Sequence, residues 1–179
     1  WASFFSATNE PKHRFFINIT DVGMGGETVL KLQNKITRKL GADINYFWAI
    51  TSTIATYNKV KVKAVSNDFM WEGKIMNFVV ANGKYFGNGL GVAPEASVTD
   101  GKFEIVVVGD ISLMDYLKNL GKIKECQKIN HPEVHYFRTD KVQIESLESK
   151  NISIDMDGEF IGFAPMTLIN LPQKIRFIC

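Results

Sequence analysis

The spacing of hydrophobic and polar positions changes along the chain, and each change marks an element. Phe15-Phe16-Ile17-Asn18-Ile19 reads as a buried strand ending at a glycine-rich turn, Gly23-Met24-Gly25-Gly26. Val29, Leu32, Ile36 and Leu40 then recur at helical spacing, with Gly41 placed to end that helix. Asp43 can cap a second helix in which Phe47, Ile50, Ile54 and Tyr57 share a face. Trp48 and Ala49 broaden the stripe, so this helix is expected to be buried or to face something oily.

After Asn58 the period becomes two. Val60, Val62 and Ala64 alternate with Lys59, Lys61 and Lys63, which predicts a strand with one apolar and one basic face. Asp68–Trp71 and Lys74–Ala81 read as further strands with Glu72-Gly73 as the turn between them, and Phe103–Val108 is rich in β-branched residues. Ser112 and Asp115 form a capping box, Ile111 and Tyr116 can staple it, Leu113, Leu117 and Leu120 should face inward, and Gly121 should close this third helix. Val134–Arg138, Lys141–Leu147, Asn151–Met156, Phe160–Phe163, Thr167–Asn170 and Lys174–Ile178 read as strands. Many short strands with close turns predict a mainly β chain, a β-sandwich carrying about three short helices.

Composition narrows the function classes. The 179 residues suit one domain, 1–179. With 21 basic and 19 acidic side chains the net charge is +2, too balanced for a strong nucleic-acid binder. Cys126 and Cys179 make neither a disulfide framework nor a zinc pattern, which fits a reducing cytosol. No apolar run approaches the ~20 residues needed to span a bilayer. The opening Trp1–Ser6 lacks the features of a signal peptide and has no Met, which suggests a piece of a longer protein.

Each candidate motif has a plain reading beside a chemical one. Asn82–Gly91 is dense in glycine but matches neither the phosphate-cradling nor the dinucleotide pattern, so it is a turn-rich connection or a ligand loop. Asp100-Gly101 is a turn, or a carboxylate that holds a hard cation together with loop carbonyls. Ser153, Asp155 and Asp157 share a strand face opposite Ile152, Ile154 and Met156, and Asp157-Gly158 suits a two-residue hairpin. With Glu159 these carboxylates form either a solvated acidic hairpin or a site where like charges raise a base's pKa. The Lys59/Lys61/Lys63 stripe is a solvated face, or one drawn to anionic lipid headgroups. His13, His131 and His135 have no placeable catalytic partner.

Three segments together resemble one family, the soluble diacylglycerol kinases, related to sphingosine and ceramide kinases. Arg14–Val29 resembles the segment that opens the family's C-terminal domain. Phe78–Gly87 with Ala93–Ala96 and Thr99–Gly101 resembles its central signature, and Ile154–Glu159 its final one. The resemblance implies the C-terminal domain of a two-domain lipid kinase, a β-sandwich meeting an N-terminal ATP-binding domain absent from this chain. It implies phosphoryl transfer from ATP to a lipid hydroxyl, with Glu159 as the base that accepts the hydroxyl proton. It implies Mg2+ held by Asp100 with the backbone oxygens of Ser97 and Lys102, although Lys102 replaces the family's usual apolar residue. Partners follow from it: a lipid substrate, the chain's own nucleotide-binding domain, peripheral contact at the inner membrane surface from the cytoplasm, and room for a homodimer, with no nucleic acid. The ATP-phosphate motif Gly-Gly-Asp-Gly-Thr does not occur here, so the chain alone is expected to be inactive. A non-catalytic lipid-binding module and an NAD-kinase-like domain are the alternatives.

Overall fold

The structure, a computed structural model, describes residues 1–5, 10–33, 41–87 and 89–171. Ile36 and Leu40 of the first expected helix and the expected strand 174–178 lie outside the described residues. Thirteen strands and three helices are present among those described. The expectation of a mainly β chain with about three helices holds.

Eleven strands join into one antiparallel sheet that curls over itself. Its centre is β3 (Ile19–Gly23), β6 (Asn77–Ala81) and β12 (Ser153–Met156), continuing on one side through β9 (Phe103–Val108) to β10 (Val134–Thr139). On the other side β13 (Glu159–Ile169) leads through β11 (Lys141–Ser146) and β4 (Val60–Ser66) to β5 (Met70–Ile75). β1 (Ala2–Phe5) pairs with β13 and with β2 (Pro11–Arg14). β7 (Tyr85–Phe86) and β8 (Leu90–Gly91) form a small separate hairpin. Curling brings the two ends of the sheet together: Phe69 stacks on Phe137 at 4.3 Å and Trp71 approaches His135. The enclosed core holds Val62 and Ala64 of β4 against Phe78, Ile105, Ile144, Ile154 and Leu168. Alternation along β4 is therefore the product of one face being sealed and the other wet. The Lys stripe on its wet face is largely paired, Lys59 with Asp110 and Lys61 with Glu72, which supports the solvated reading.

Several boundaries differ from expectation, each for a physical reason. The strand expected at Phe15 starts only at Ile19, and Gly23–Gly26 is no turn: helix α1 (Met24–Gln33) begins inside it. Side-chain-free positions are needed there, because a Cβ on Gly25 would sit 2.1 Å from an Asp21 oxygen and one on Gly26 2.7 Å from Ser153 Cβ. Helix α2 (Ala42–Thr56) starts from Gly41 with no side-chain cap, so Asp43 lies within it rather than capping it. Its Ile50, Ile54 and Tyr57 are buried as expected, while Phe47 and Trp48 are exposed. Glu72-Gly73 lies inside β5, where the Trp71 ring covers Gly73, and the expected strand Lys74–Ala81 breaks at Met76. Helix α3 (Leu113–Lys124) has the expected capping box but runs past Gly121, and it buries Tyr116 and Ile123 rather than Leu117. The two strands expected at Phe160–Phe163 and Thr167–Asn170 are one, β13, whose Ala164–Pro165 peptide is cis.

Candidate functional site

The acidic hairpin sits at the end of β12 and β13. Asp157 and Gly158 both take positive φ, 51° and 87°, which is what a tight two-residue turn requires. The turn aims the Asp157 carboxylate at the start of β3. Its Oδ2 accepts the Ile17 N–H at 2.8 Å, and its Oδ1 accepts those of Asn18 and Ile19, both at 3.0 Å. Asp157 thus supplies three backbone partners that a strand end would otherwise lack.

The glycine-dense segment docks on the same short stretch. Asn18 O accepts the Asn82 N–H at 2.9 Å and lies 3.3 Å from Gly83 N, while the Asn18 amide donates to Tyr85 O at 2.9 Å. The Asn82 amide donates to Ile17 O at 3.1 Å and accepts from Asn170 at 3.0 Å. Gly83 is needed because a Cβ there would meet Asn18 Oδ1 at 2.2 Å. Ile17–Ile19 is therefore the knot on which three segments distant in sequence converge.

Glu159 lies at the rim of this knot, exposed, with its Oε2 taking the Arg14 guanidinium at 2.5 Å. The crowding expected of the hairpin carboxylates falls instead on Asp155. That side chain was expected on a wet face, yet α1 covers it and it is only 4% exposed. Burial pushes Asp155 up to about 7, the charges of Asp157 and Glu159 add to this, and the Gly158 and Met156 N–H groups oppose it. Directly opposite in register on β3 is Asp21, fully buried, whose acid is raised well above the usual range by burial and by Asp155. Sequence reading passed over Asp21, since a single Asp in an apolar strand carries no local pattern.

The remaining expected site residues lie elsewhere. Asp100 Oδ1 accepts the Lys102 N–H at 2.9 Å and its Oδ2 faces Arg138 of β10, which is separated from β12 by β9, β6 and β3. Ser97 Oγ lies 3.2 Å from Thr99 Oγ1. A carboxylate among loop carbonyls is the right donor chemistry for Mg2+. As arranged, however, the Asp100 charge is already countered by Arg138, so this set fits a cation only if Arg138 withdraws.

Two spaces meet beside the knot. A cleft of about 740 Å³ has a mixed lining, in which Asn18, Asn77, Asp155 and Asp157 stand among Ile19, Val29 and other apolar residues. An apolar cavity of about 120 Å³ lies between the sheet and helices α2 and α3, walled by Ile54, Met76, Leu90, Val106, Tyr116 and Ile123. Met24, Ile50, Asn77 and Phe86 line both, so the two spaces adjoin.

Residues 20–179 match the family described as the YegS C-terminal NAD kinase beta sandwich-like domain. Curated relatives include a diacylglycerol kinase of Bacillus subtilis (strain 168), 22% identical over 92% of this chain and 54% of its own length. Another is a diacylglycerol kinase of Staphylococcus carnosus (strain TM300), 24% identical over 91% of this chain and 52% of its own. The chain thus spans about half the length of these relatives. A crystal structure from Bacillus anthracis str. Sterne, provisionally named a diacylglycerol kinase, superposes with a TM-score of 0.63 at 22% identity, covering 96% of this chain and 53% of that one. That likeness shows a shared fold.

Proposed function

Because the chain belongs to the YegS C-terminal NAD kinase beta sandwich-like family, we propose that it is the C-terminal domain of a lipid kinase and forms the acceptor side of phosphoryl transfer from ATP to a lipid hydroxyl. The observation that carries this reading is the convergence on Ile17–Ile19: all three segments that resemble the lipid kinases are bonded there, around one cleft. A cleft of mixed lining that adjoins an apolar cavity suits an amphiphile, with a hydroxyl-bearing headgroup beside the hairpin carboxylates and a chain along the apolar walls. That shape supports a diacylglycerol-like acceptor. The relatives' printed names favour the lipid branch over an NAD-kinase-like role.

In this reading Glu159 accepts the proton of the lipid hydroxyl as it attacks the γ-phosphoryl group. A base within hydrogen-bond reach of a weak hydroxyl nucleophile speeds attack typically ~10²–10⁴-fold. Arg14 holds the Glu159 carboxylate beside the hairpin until substrate takes that place. Asp157 fixes the hairpin that presents it. The phosphate cradle and ATP belong to an N-terminal nucleotide-binding domain outside this sequence, so the chain alone is inactive. Mg2+ at Asp100 with the Ser97 and Lys102 carbonyls would supply charge that holds the loop.

The partners follow: the nucleotide-binding domain, the lipid, a second copy in a homodimer, and the inner face of the cytoplasmic membrane met peripherally. Among the described residues no helix is long and apolar enough to cross a membrane. Helix α2 nevertheless shows water an apolar face of Ile44, Phe47 and Trp48, each 45–59% exposed, which suits contact with a lipid surface.

The test is lipid-dependent ATP turnover by the full-length protein that contains this chain, with diacylglycerol as acceptor. Glu159→Gln should lower kcat by orders of magnitude at unchanged fold and ATP affinity. Retention of more than about a tenth of the rate would exclude a catalytic base. The Arg14–Glu159 pair then favours the second reading, a lipid-binding module without catalysis.

A further inference from the structure

The sheet face beneath α1 carries an arrangement that phosphoryl transfer at the rim does not use. Asp21 on β3 and Asp155 on β12 are directly opposed in register, and Asn77 on the neighbouring β6 shares the same face. They are 0%, 4% and 8% exposed. Among the described residues, both Asp21 oxygens, Asp155 Oδ1 and Asn77 Oδ1 have no hydrogen-bond partner of good geometry. Three side chains thus bury four unsatisfied oxygens in one place.

Such a group is costly unless something positive occupies it, since a buried polar atom without a partner costs about 1–3 kcal/mol and a charge more. Among the described residues no cation bears on this pair. Asp21 faces Tyr57 after α2, and Asp155 faces Asp157 and Glu159 of the hairpin, and all three of these neighbours are acidic. The Asn77 amide nitrogen leans toward Asp21, and a shared proton adds one further donor, which still leaves acceptors over. A hard cation takes six or more oxygens at once. The fold also gives access. The Asp21 carboxylate packs directly against Gly25, while Asp155, Asn77 and Gly25 line the 740 Å³ cleft, from which water can complete a coordination shell.

We propose that Asp21, Asp155 and Asn77 form a binding site for one small divalent hard cation, Mg2+ or Ca2+, at the floor of the cleft and distinct from the Asp100 loop. The site joins β3, β6 and β12 under the first turn of α1. Its occupation ties the cleft floor together whatever chemistry occurs at the rim.

The experiment titrates the chelator-stripped 179-residue chain at pH 8 with MgCl2 and, separately, CaCl2, followed by calorimetry and by thermal melting. With the Asp100 loop silenced by Asp100→Asn, one cation should bind per chain and raise Tm by roughly 5–10 °C at about a hundred times its Kd. Asp155→Asn should weaken binding at least tenfold and abolish the Tm rise, while the metal-free variant melts at or above wild type, because a buried charge has been removed. Asn77→Leu keeps both carboxylates and should weaken binding several-fold, and it decides the matter if Asp155→Asn fails to fold. Asp100→Asn should leave this binding intact. No saturable binding up to ~10 mM, beyond the weakest protein calcium sites, overturns the proposal. So does binding lost only with Asp100→Asn, or binding unchanged by both Asp155→Asn and Asn77→Leu.

Discussion

Asp157→Ala removes the one side chain that fastens the hairpin to the start of β3. The carboxylate takes three backbone N–H groups, from Ile17, Asn18 and Ile19. Hydrogen bonds to a charged acceptor contribute about 1.5–3 kcal/mol each when shielded. Asp157 is exposed, so solvent screening discounts each bond to little more than about 1 kcal/mol, and the three together come to roughly 3–4 kcal/mol. Alanine must also take φ 51° without the polar side chain that eases this region for aspartate, which costs up to about 1 kcal/mol more.

Two further substitutions separate these contributions. Asp157→Gly loses the bonds and relieves the backbone, so it should be less destabilised than alanine by about 1 kcal/mol. Asp157→Asn tolerates positive φ and keeps one acceptor for Asn18 and Ile19, so it should lose only about 1–2 kcal/mol. At ~2–4 °C per kcal/mol for a domain of this size, alanine should lower Tm by about 6–20 °C. Urea unfolding of the 179-residue chain followed by circular dichroism reads all three. An alanine variant within about 1 kcal/mol of wild type would mean that the bonds are replaced by water at no cost, and the anchoring argument fails. The order Asn, Gly, Ala from most to least stable is the finer check.

Three other outcomes are expected. Glu104 is buried with both oxygens unpaired among the described residues, and burial raises its pKa, only partly opposed by the Glu95 N–H. Its stabilising share is therefore present below the unfolded carboxyl value and lost as pH rises through the folded one, so Glu104→Gln should gain stability over wild type at pH 8 and not at pH 4; equal gaps in Tm at both pH values would refute this. Arg138→Gln should free the Asp100 carboxylate and strengthen Mg2+ binding at that loop, measured by titration calorimetry; unchanged affinity would separate Asp100 from any cation site. Phe47→Ser with Trp48→Ser should reduce co-sedimentation with phosphatidylglycerol vesicles by tenfold or more without lowering Tm, because both side chains already face water; unchanged sedimentation would remove α2 from the membrane-facing surface.

Elements whose cause is local were legible in the sequence. β4 and β9 were read correctly because alternation and β-branching are properties of the strand itself. The α3 cap was read because Ser112 and Asp115 meet across one turn. Elements whose cause lies across the fold were missed. β2 is exposed at every position and exists through its pairing with β1, so no pattern marked it. Gly73 resembled a turn residue because the Trp71 ring that lies against it could not be foreseen.

The same division runs through the site. The Asp157-Gly158 turn was visible because the turn itself demands positive φ at two adjacent positions. What the turn does was not visible: its carboxylate reaches back about 140 residues in sequence to cap Ile17–Ile19, a link set by the β3–β12 pairing. Alternation correctly put Asp155 on the opposite face from Ile154, but polarity alone suggested that this face was wet. The face is covered because Gly25 and Gly26 let α1 lie close against Asp21 and Ser153. Two glycines read as a loop are thus the reason that two aspartates are buried. The acidic strand end accordingly holds two kinds of carboxylate, Glu159 exposed beside Arg14 and the Asp21–Asp155 pair sealed below it. The exposed one is already countered by Arg14, whereas the buried pair, reached only through the cleft that Asp155 lines, needs a proton or a cation to balance it.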